Sequence, residues 1–450
     1  MSLPRYEKYK DSGIAWLGEV PSHWPVSSLK HIVACPITDG PHETPVFLDK
    51  GVPFVSAEAV SSGRIEFSKI RGFISEESHR TYSQKYKPQN GDIFMVKSGA
   101  TTGVTAIVET DADFNIWSPL AAIRCGSTSV PRFVLNFMRS QNFQEAVTLN
   151  WSFGTQQNIG MGVIENLALP LPPIDEQQAI ANFLDHETTK IDALIAEQQR
   201  LIELLREKRQ AVISHAVTKG LNPHAPLKPS GIEWLGDVPE HWEVKSLKRL
   251  AENIKAGPFG SSLTKDMYVS SGYRVYGQEQ VIPNDFNVGD YFITAEKYEE
   301  LSQYRVAPRD ILISCVGTFG KIAIVPDAVA PGIINPRLLR LRCSNAISAE
   351  YLAEVLRSLV TFEQFALLSR GGTMDVINIG TLNAILVAVP PIAEQNGIVG
   401  FLDTETAKFD ALTAEADRGI ELLQERRTAL ISAAVTGQID VRGLVATEAA

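Results

Sequence analysis

Residues 172–220 read PPIDEQQAIANFLDHETTKIDALIAEQQRLIELLREKRQAVISHAVTKG, and the fold follows from this stretch. Ile180, Leu184, Ile191, Leu194, Leu201, Leu205 and Val212 stand at spacings of four, three and seven. That pattern predicts one long amphipathic helix with a coiled-coil stripe, interrupted by Glu187, Gln198 and Lys208. The paired prolines mark its start, and Asp175 or Glu176 suits the positive end of the helix dipole. Ile195, Ile202 and Leu204 widen the stripe beyond a two-helix seam and leave apolar surface for a partner.

The design recurs. Residues 390–437 read PPIAEQNGIVGFLDTETAKFDALTAEADRGIELLQERRTALISAAVTG. Ile398, Leu402, Phe409, Leu412, Leu423 and Leu430 take the matching places, and Glu405, Ala416, Gly419 and Arg426 the interruptions. Gly397 and Gly419 each cost about 1 kcal/mol relative to alanine in a helix interior, which makes the second rod the looser one. A helix of roughly 44 residues spans about 66 Å.

The signature SGIAWLGEVPSHW at 12–24 returns as SGIEWLGDVPEHW at 230–242. The offset from Trp16 to Trp234 is the same as that from Pro172 to Pro390 and from Leu184 to Leu402. The chain is therefore two copies of one unit: signature, globular part, long helix. Trp16, Trp24, Trp234 and Trp242 read as packing anchors for the signature, and His23 and His241 as structural histidines. Between signature and helix, runs such as 92–96 and 310–314 predict strands. Leu, Phe and Met spacings predict helices near Arg132–Val147 and Ala349–Leu368. The fold class expected is α+β: two mixed α/β globular domains separated by two long antiparallel coiled-coil helices, with a pseudo-two-fold internal repeat. The expected division is 1–170, 171–220, 221–388, 389–437 and a tail at 438–450. Outside a few motifs the two globular parts share little, so one frame carries two diverged faces.

With 450 residues, 44% hydrophobic and 21% charged, the chain suits two or three soluble domains. No apolar run is long enough for a membrane span, and no signal-peptide pattern opens the sequence. Cys35, Cys125, Cys315 and Cys343 are scattered, which argues against a zinc site and fits a reducing cytoplasm. The net charge of −10 weighs against nucleic acid, although the acidic excess falls largely in the helices and tail. No phosphate loop, dinucleotide fingerprint, zinc-protease motif, nucleophile elbow or amino-methylation motif is present. The chain itself is thus expected to be non-catalytic and to bind no cofactor or metal.

Three pairs of polar, glycine-rich loops remain, one of each pair per unit. The first pair offers Thr38, Asp39, His42 and Thr44, and in the second unit Lys255, Phe259, Ser261 and Ser262. The second pair offers Lys97, Ser98, Thr101 and Thr102, then Thr318 and Lys321. The third pair offers Thr155, Gln156, Gln157 and Asn158, then Arg370 and Thr373. Such side chains suit phosphates and base edges, and glycine permits close backbone approach.

The runs Pro170–Ile174, Glu176-Gln177, Phe183-Leu184-Asp185, Asp192-Ala193-Leu194 and Lys208-Arg209-Gln210 carry a family resemblance. So do Pro390-Pro391-Ile392, Glu394-Gln395, Phe401-Leu402-Asp403, Asp410-Ala411-Leu412, Arg426-Arg427 and the repeated signature. Together they resemble the specificity subunits of type I restriction-modification systems. The resemblance implies that each globular part is a target recognition domain reading one half of a split double-stranded DNA sequence. It implies that the helices set the gap and dock two modification (methyltransferase) subunits, which carry S-adenosylmethionine. It leaves open whether a restriction motor-nuclease subunit joins. The rival reading from the residues alone is a protein–protein adaptor with two binding heads on a coiled-coil spacer.

Overall fold

The computed structural model describes residues 3–153, 157–315, 321–368 and 377–444. Two compact units emerge, and neither is a simple half of the chain. One comprises Met1–Gln199 with Arg418–Ala450, the other Arg200–Asp417. The first long helix, Ile174–Lys219, and the second, Ile392–Val435, each begin in one unit and end in the other.

In the first unit the signature forms a hairpin, with Tyr9–Asp11 antiparallel to Glu19–Pro21. Trp24 is fully buried beneath it, in one core with Ile180 and Leu184 from the first long helix and Ile431 and Val435 from the second. A four-stranded antiparallel sheet follows in the order Thr38–Asp39, Leu120–Ile123, Ile93–Val96, Thr105–Ile107. A three-stranded sheet has Val52–Val55 at its centre, antiparallel to Phe73–Ile74 and parallel to Asn115–Ile116.

The second unit repeats this strand for strand. Leu227–Pro229 pairs with Asp237–Pro239, and Trp242 is fully buried with Ile213, Val217, Ile398 and Leu402. Its four-stranded sheet runs Ala251–Ala256, Leu338–Cys343, Ile311–Ser314, Ile322–Ile324. Its three-stranded sheet centres on Tyr273–Tyr276, antiparallel to Phe292–Ile293 and parallel to Gly332–Ile334. One buried ion pair recurs as well. Arg124 holds Asp92 at 2.7 Å, and at the equivalent places in the second unit Arg342 holds Asp310 at 2.8 Å.

The helical stretch expected near Arg132–Val147 consists of two helices, Pro131–Arg139 and Gln141–Asn150. Ser140 between them is extended, and its side chain caps the second helix at Phe143 N. Ser358 does the same between Ala349–Arg357 and Leu359–Leu368, receiving a bond from Thr361 N. A serine whose hydroxyl satisfies a free helical N–H ends one helix and starts the next without a loop.

Within each unit the helix segments run antiparallel. In the first unit Asp192 meets Arg427 at 2.8 Å, while Glu176 lies near Arg442. In the second, Arg209 lies 3.6 Å from Asp410, and a side chain at Gly220 would touch Glu394. These two ion pairs are one pair seen twice, since Asp410 is the repeat counterpart of Asp192, and Arg427 of Arg209.

The buried stripe departs from the expected one. Ile180, Leu184, Ile191, Leu205, Ile398, Leu402 and Phe409 are buried, and Leu423 and Leu430 half-buried. Leu194, Leu201 and Leu412 are 48%, 43% and 47% exposed, whereas Ile202 and Ala416 are buried. Leu184, Ile191, Ile202 and Leu205 follow one another at steps of seven, eleven and three, which is a single heptad register, and Phe409 and Ala416 keep the seven-residue step in the second helix. The step from Leu184 to Ile202 is a whole number of turns of a straight helix at 3.6 per turn. Leu184, Ile191 and Leu205 fit two heptad phases, one completed by Leu194 and Leu201 and the other by Ile195 and Ile202, and burial selects the second.

Candidate functional site

The glutamate that opens each long helix organises its unit. Glu176 accepts from Trp24 Nε1 at 2.9 Å and from the Tyr6 hydroxyl at 3.2 Å, and pairs with His23 Nε2 at 2.8 Å. Glu394 meets His241 Nε2 at 2.8 Å and Trp242 Nε1 at 3.1 Å. Burial first, and then the Glu176 carboxylate, push the Tyr6 phenol far above its ordinary value. The neighbouring Gln177 accepts from Val130 N and donates to Thr128 O and Pro172 O. Gln395 repeats this with Ser348 N, Ala346 O and Pro390 O. The Glu-Gln dipeptide and the His-Trp dipeptide thus tie signature to helix through partners within the fold.

The loops of the first unit converge. Asp39, at the end of its strand and not in a loop as expected, and Lys97, just past the strand Ile93–Val96, form an ion pair at 2.8 Å, and Lys85 holds the other Asp39 oxygen at 2.6 Å. Burial raises the Asp39 carboxyl, but the hydrogen bonds and charges of Lys85 and Lys97 outweigh it, and the net shift is downward. Lys97 O accepts from Ile159 N at 2.9 Å, and Gly99 N donates to Gln157 O at 3.0 Å. Ser98 bridges to Asn158, and Thr102 Oγ1 donates to Gly99 O and Gln157 O. All three sequence-predicted loops therefore form one surface.

This places the candidate residues in two groups. Asp39 is 6% exposed and, with Lys97 and Thr102, holds the loops together. A carboxylate gripped by two ammonium groups has little left to offer. His42, which also reaches Asp39 at 3.1 Å, is largely open to solvent at its side chain, and Thr44, Gln157 and Asn158 are exposed; Thr38, Ser98 and Thr101 are half-buried. Thr155 and Gln156 lie outside the described residues, as do Thr318, Arg370 and Thr373.

In the second unit Phe259 is 67% exposed, Ser261 and Lys321 are exposed, and Ser262 is half-buried. Lys255 belongs to a strand and lies over the Tyr304 ring at 5.4 Å, so it is not a loop residue. Beside this loop opens a cleft of about 460 Å³ lined by Lys265, Tyr268, Gln278, Tyr291, Asn335 and Arg337. Gln278 donates to Ser314 Oγ at 2.8 Å, and Asn335 Oδ1 receives Arg337 N at 2.9 Å. Sequence reasoning missed these residues. The available signal was the Gly-Pro dipeptide shared by both first loops. A Cβ on Gly40 would sit 1.9 Å from Ile116 O, and one on Gly257 1.8 Å from Asn335 O. Each glycine marks a close approach, and the strand end it touches belongs to the same surface.

The molecule so described is of a defined class: a duplicated α+β protein that presents two unlike polar loop surfaces on one repeated helical frame. The profile of the family "Type I restriction modification DNA specificity domain" matches twice, at residues 21–204 and 239–422, and the chain belongs to that family. It is 24% identical over 359 residues to the type I restriction enzyme EcoBI specificity subunit of Escherichia coli, covering 74% of this chain and 73% of that one. It is 26% identical over 320 residues to the MjaVIII specificity subunit of Methanocaldococcus jannaschii, covering 66% and 70%. Among solved structures, a chain from one on complex assembly and conformational transition of the type I R-M system has the same fold. Its TM-score is 0.70 at 17% identity, with 95% of this chain and 99% of that one covered. No helix among the described residues is long and apolar enough to cross a membrane.

Proposed function

We propose that the chain acts in the cytoplasm as the non-catalytic DNA-reading subunit of a type I restriction-modification complex. Each unit reads one half of a bipartite duplex target with its converged loops. The long helices set the unread gap and dock two modification subunits, which hold the S-adenosylmethionine and perform the methylation. A motor-nuclease subunit joins where the system also cleaves.

The observation that carries this reading is the contrast between frame and loops. The two units share strand order, helix anchors and buried ion pairs. Their loops differ: His42, Gln157 and Asn158 in one, Phe259, Gln278, Asn335 and Arg337 in the other. A repeated scaffold with unlike side chains suits two different half-sites, since base edges are distinguished by donor and acceptor pattern.

Sequencing modified bases in cells with and without the gene tests it. A two-part motif with a fixed gap is expected only when the gene is present. Insertions or deletions in Ile174–Lys219 or Ile392–Val435 are expected to change the gap and leave both half-sites intact. Methylation of an unaltered site with equal efficiency by such variants defeats the ruler; absence of any motif defeats the DNA reading.

A further inference from the structure

A second polar cleft, of about 400 Å³, lies in the first unit between helix Pro131–Arg139 and the long-helix residues Asp185, Thr188, Thr189 and Asp192. Arg64, Arg132, Arg139 and Arg427 line it together with Glu109 and those two aspartates. The carboxylates are taken: Arg132 meets Glu109 at 2.5 Å and Asp185 at 3.5 Å, and Arg427 meets Asp192 at 2.8 Å. Arg139 gives one nitrogen, Nη2, to Gly63 O and Thr105 O, at 2.6 and 3.2 Å. Among the described residues its Nε and Nη1 make no hydrogen bond, and neither Arg139 nor Arg64 has a carboxylate partner. Burial pushes Arg139 down to about 10, and the neighbouring Arg427 and Arg64 charges add to the effect.

The repeat supplies an internal comparison. At the equivalent position of the second unit, Arg357 donates to a backbone carbonyl in the same way, at Ile322 O, but it also holds Glu354 at 2.6 Å. Glu354 stands where the first unit has Asn136, and Glu350 stands where the first unit has Arg132. The second unit neutralises its arginine from within. The first carries an amide, Asn136, in place of that acid, so Arg139 stands in the cleft with Arg64 and without a carboxylate partner.

We propose that this cleft is an oxyanion site that takes a phosphate group, held by the free donors of Arg139 and by Arg64. Two guanidiniums without carboxylate partners match a doubly charged oxyanion, and their planar forks suit phosphate oxygens. The site stands on the cleft alone and does not depend on the loops described above. The phosphate comes from a nucleic-acid backbone or from a free phosphate ester, and the test separates the two.

Inorganic phosphate is titrated into the full chain at constant ionic strength, with chloride as control, and binding is read by calorimetry and by the unfolding temperature. Saturable binding is expected, weakened by about tenfold or more in Asn136→Glu, which installs the acid the second unit already carries, and in Arg64→Ala. Should duplex DNA of any sequence displace the phosphate, and Asn136→Glu weaken retention of all duplexes alike with a salt slope lower by about one, the backbone is the source. Phosphate binding that DNA leaves unchanged assigns a free ester. No phosphate-specific binding by the native chain, or equal binding by both variants, overturns the site. Sequence-dependent retention of DNA, measured in the same samples, reports separately on the loop reading.

Discussion

The indole N–H of Trp24 donates to Glu176 Oε2 at 2.9 Å inside the core, so the first turn of the long helix and the signature segment are joined by one buried bond. The same bond joins Trp242 to Glu394 at 3.1 Å. Removing a buried acceptor leaves its donor without a partner, which costs about 1–3 kcal/mol. Glu176→Ala is therefore expected to lower the unfolding free energy by about that amount, and Glu176→Gln, which keeps an acceptor, by less. Urea titration of both variants measures it; equal losses would mean that the carboxylate charge, not the acceptor, matters.

Gly40 and Gly257 are expected to reject alanine, because a Cβ would lie 1.9 and 1.8 Å from backbone oxygens that cannot yield. Gly40→Ala is expected to disturb the loops of the first unit alone and to relax one half of the recognised motif. Gly257→Ala is expected to relax the other half. Modified-base sequencing with each variant reads this directly, and loss of both halves together would count against independent units.

Asp39 gives a pH dependence of known sign. Its carboxyl is held below the ordinary value, so its stabilising contribution is full above about pH 4 and fades as the pH falls through the lowered value. Asp39→Asn is expected to be less stable than the native chain at neutral pH, with the difference shrinking as the solution is acidified below about pH 4. Denaturation midpoints across that range check it.

Leu194 and Leu201 lie off the buried seam, and Ile202 lies on it. Leu194→Glu and Leu201→Glu are expected to leave stability within about 0.5 kcal/mol while weakening capture of the modification subunit. Ile202→Ala is expected to cost about 2–5 kcal/mol. Should the two glutamate variants bind that subunit as the native chain does, docking lies elsewhere.

Gly397 and Gly419 sit in the second long helix with open space where a Cβ would go. Gly397→Ala and Gly419→Ala are each expected to stabilise the chain by about 0.5–1 kcal/mol, read as a higher denaturation midpoint.

The repeat is legible because it lies in apolar spacing and tryptophan anchors, and packing obeys both. One constant offset places Trp24 with Trp242, and Asp192 and Arg209 with Asp410 and Arg427, without coordinates. The seam is less legible, because Leu184, Ile191 and Leu205 fit two heptad phases equally well. Leu201 and Ile202 differ by one place that only the helix path decides. Loop residues are harder still. Asp39 and Lys97 look in sequence like any exposed polar pair, and only their mutual contact shows that each satisfies the other. Asn335 and Arg337 lie far along the chain from Gly257, and sheet pairing, not local composition, brings them beside it.

Near the two ends of the described chain, Asp440 N donates to Pro4 O at 2.8 Å, and the Tyr9 hydroxyl donates to Gly437 O at 3.0 Å. One compact unit is thus sewn from the first part of the polypeptide and the last. A chain opened at the turn around Asn222, with the segments carrying Pro4 and Asp440 bridged by a flexible linker, is expected to keep every pairing described above. The two readers then follow one another in the opposite order, and the contacts that build each unit do not depend on which comes first.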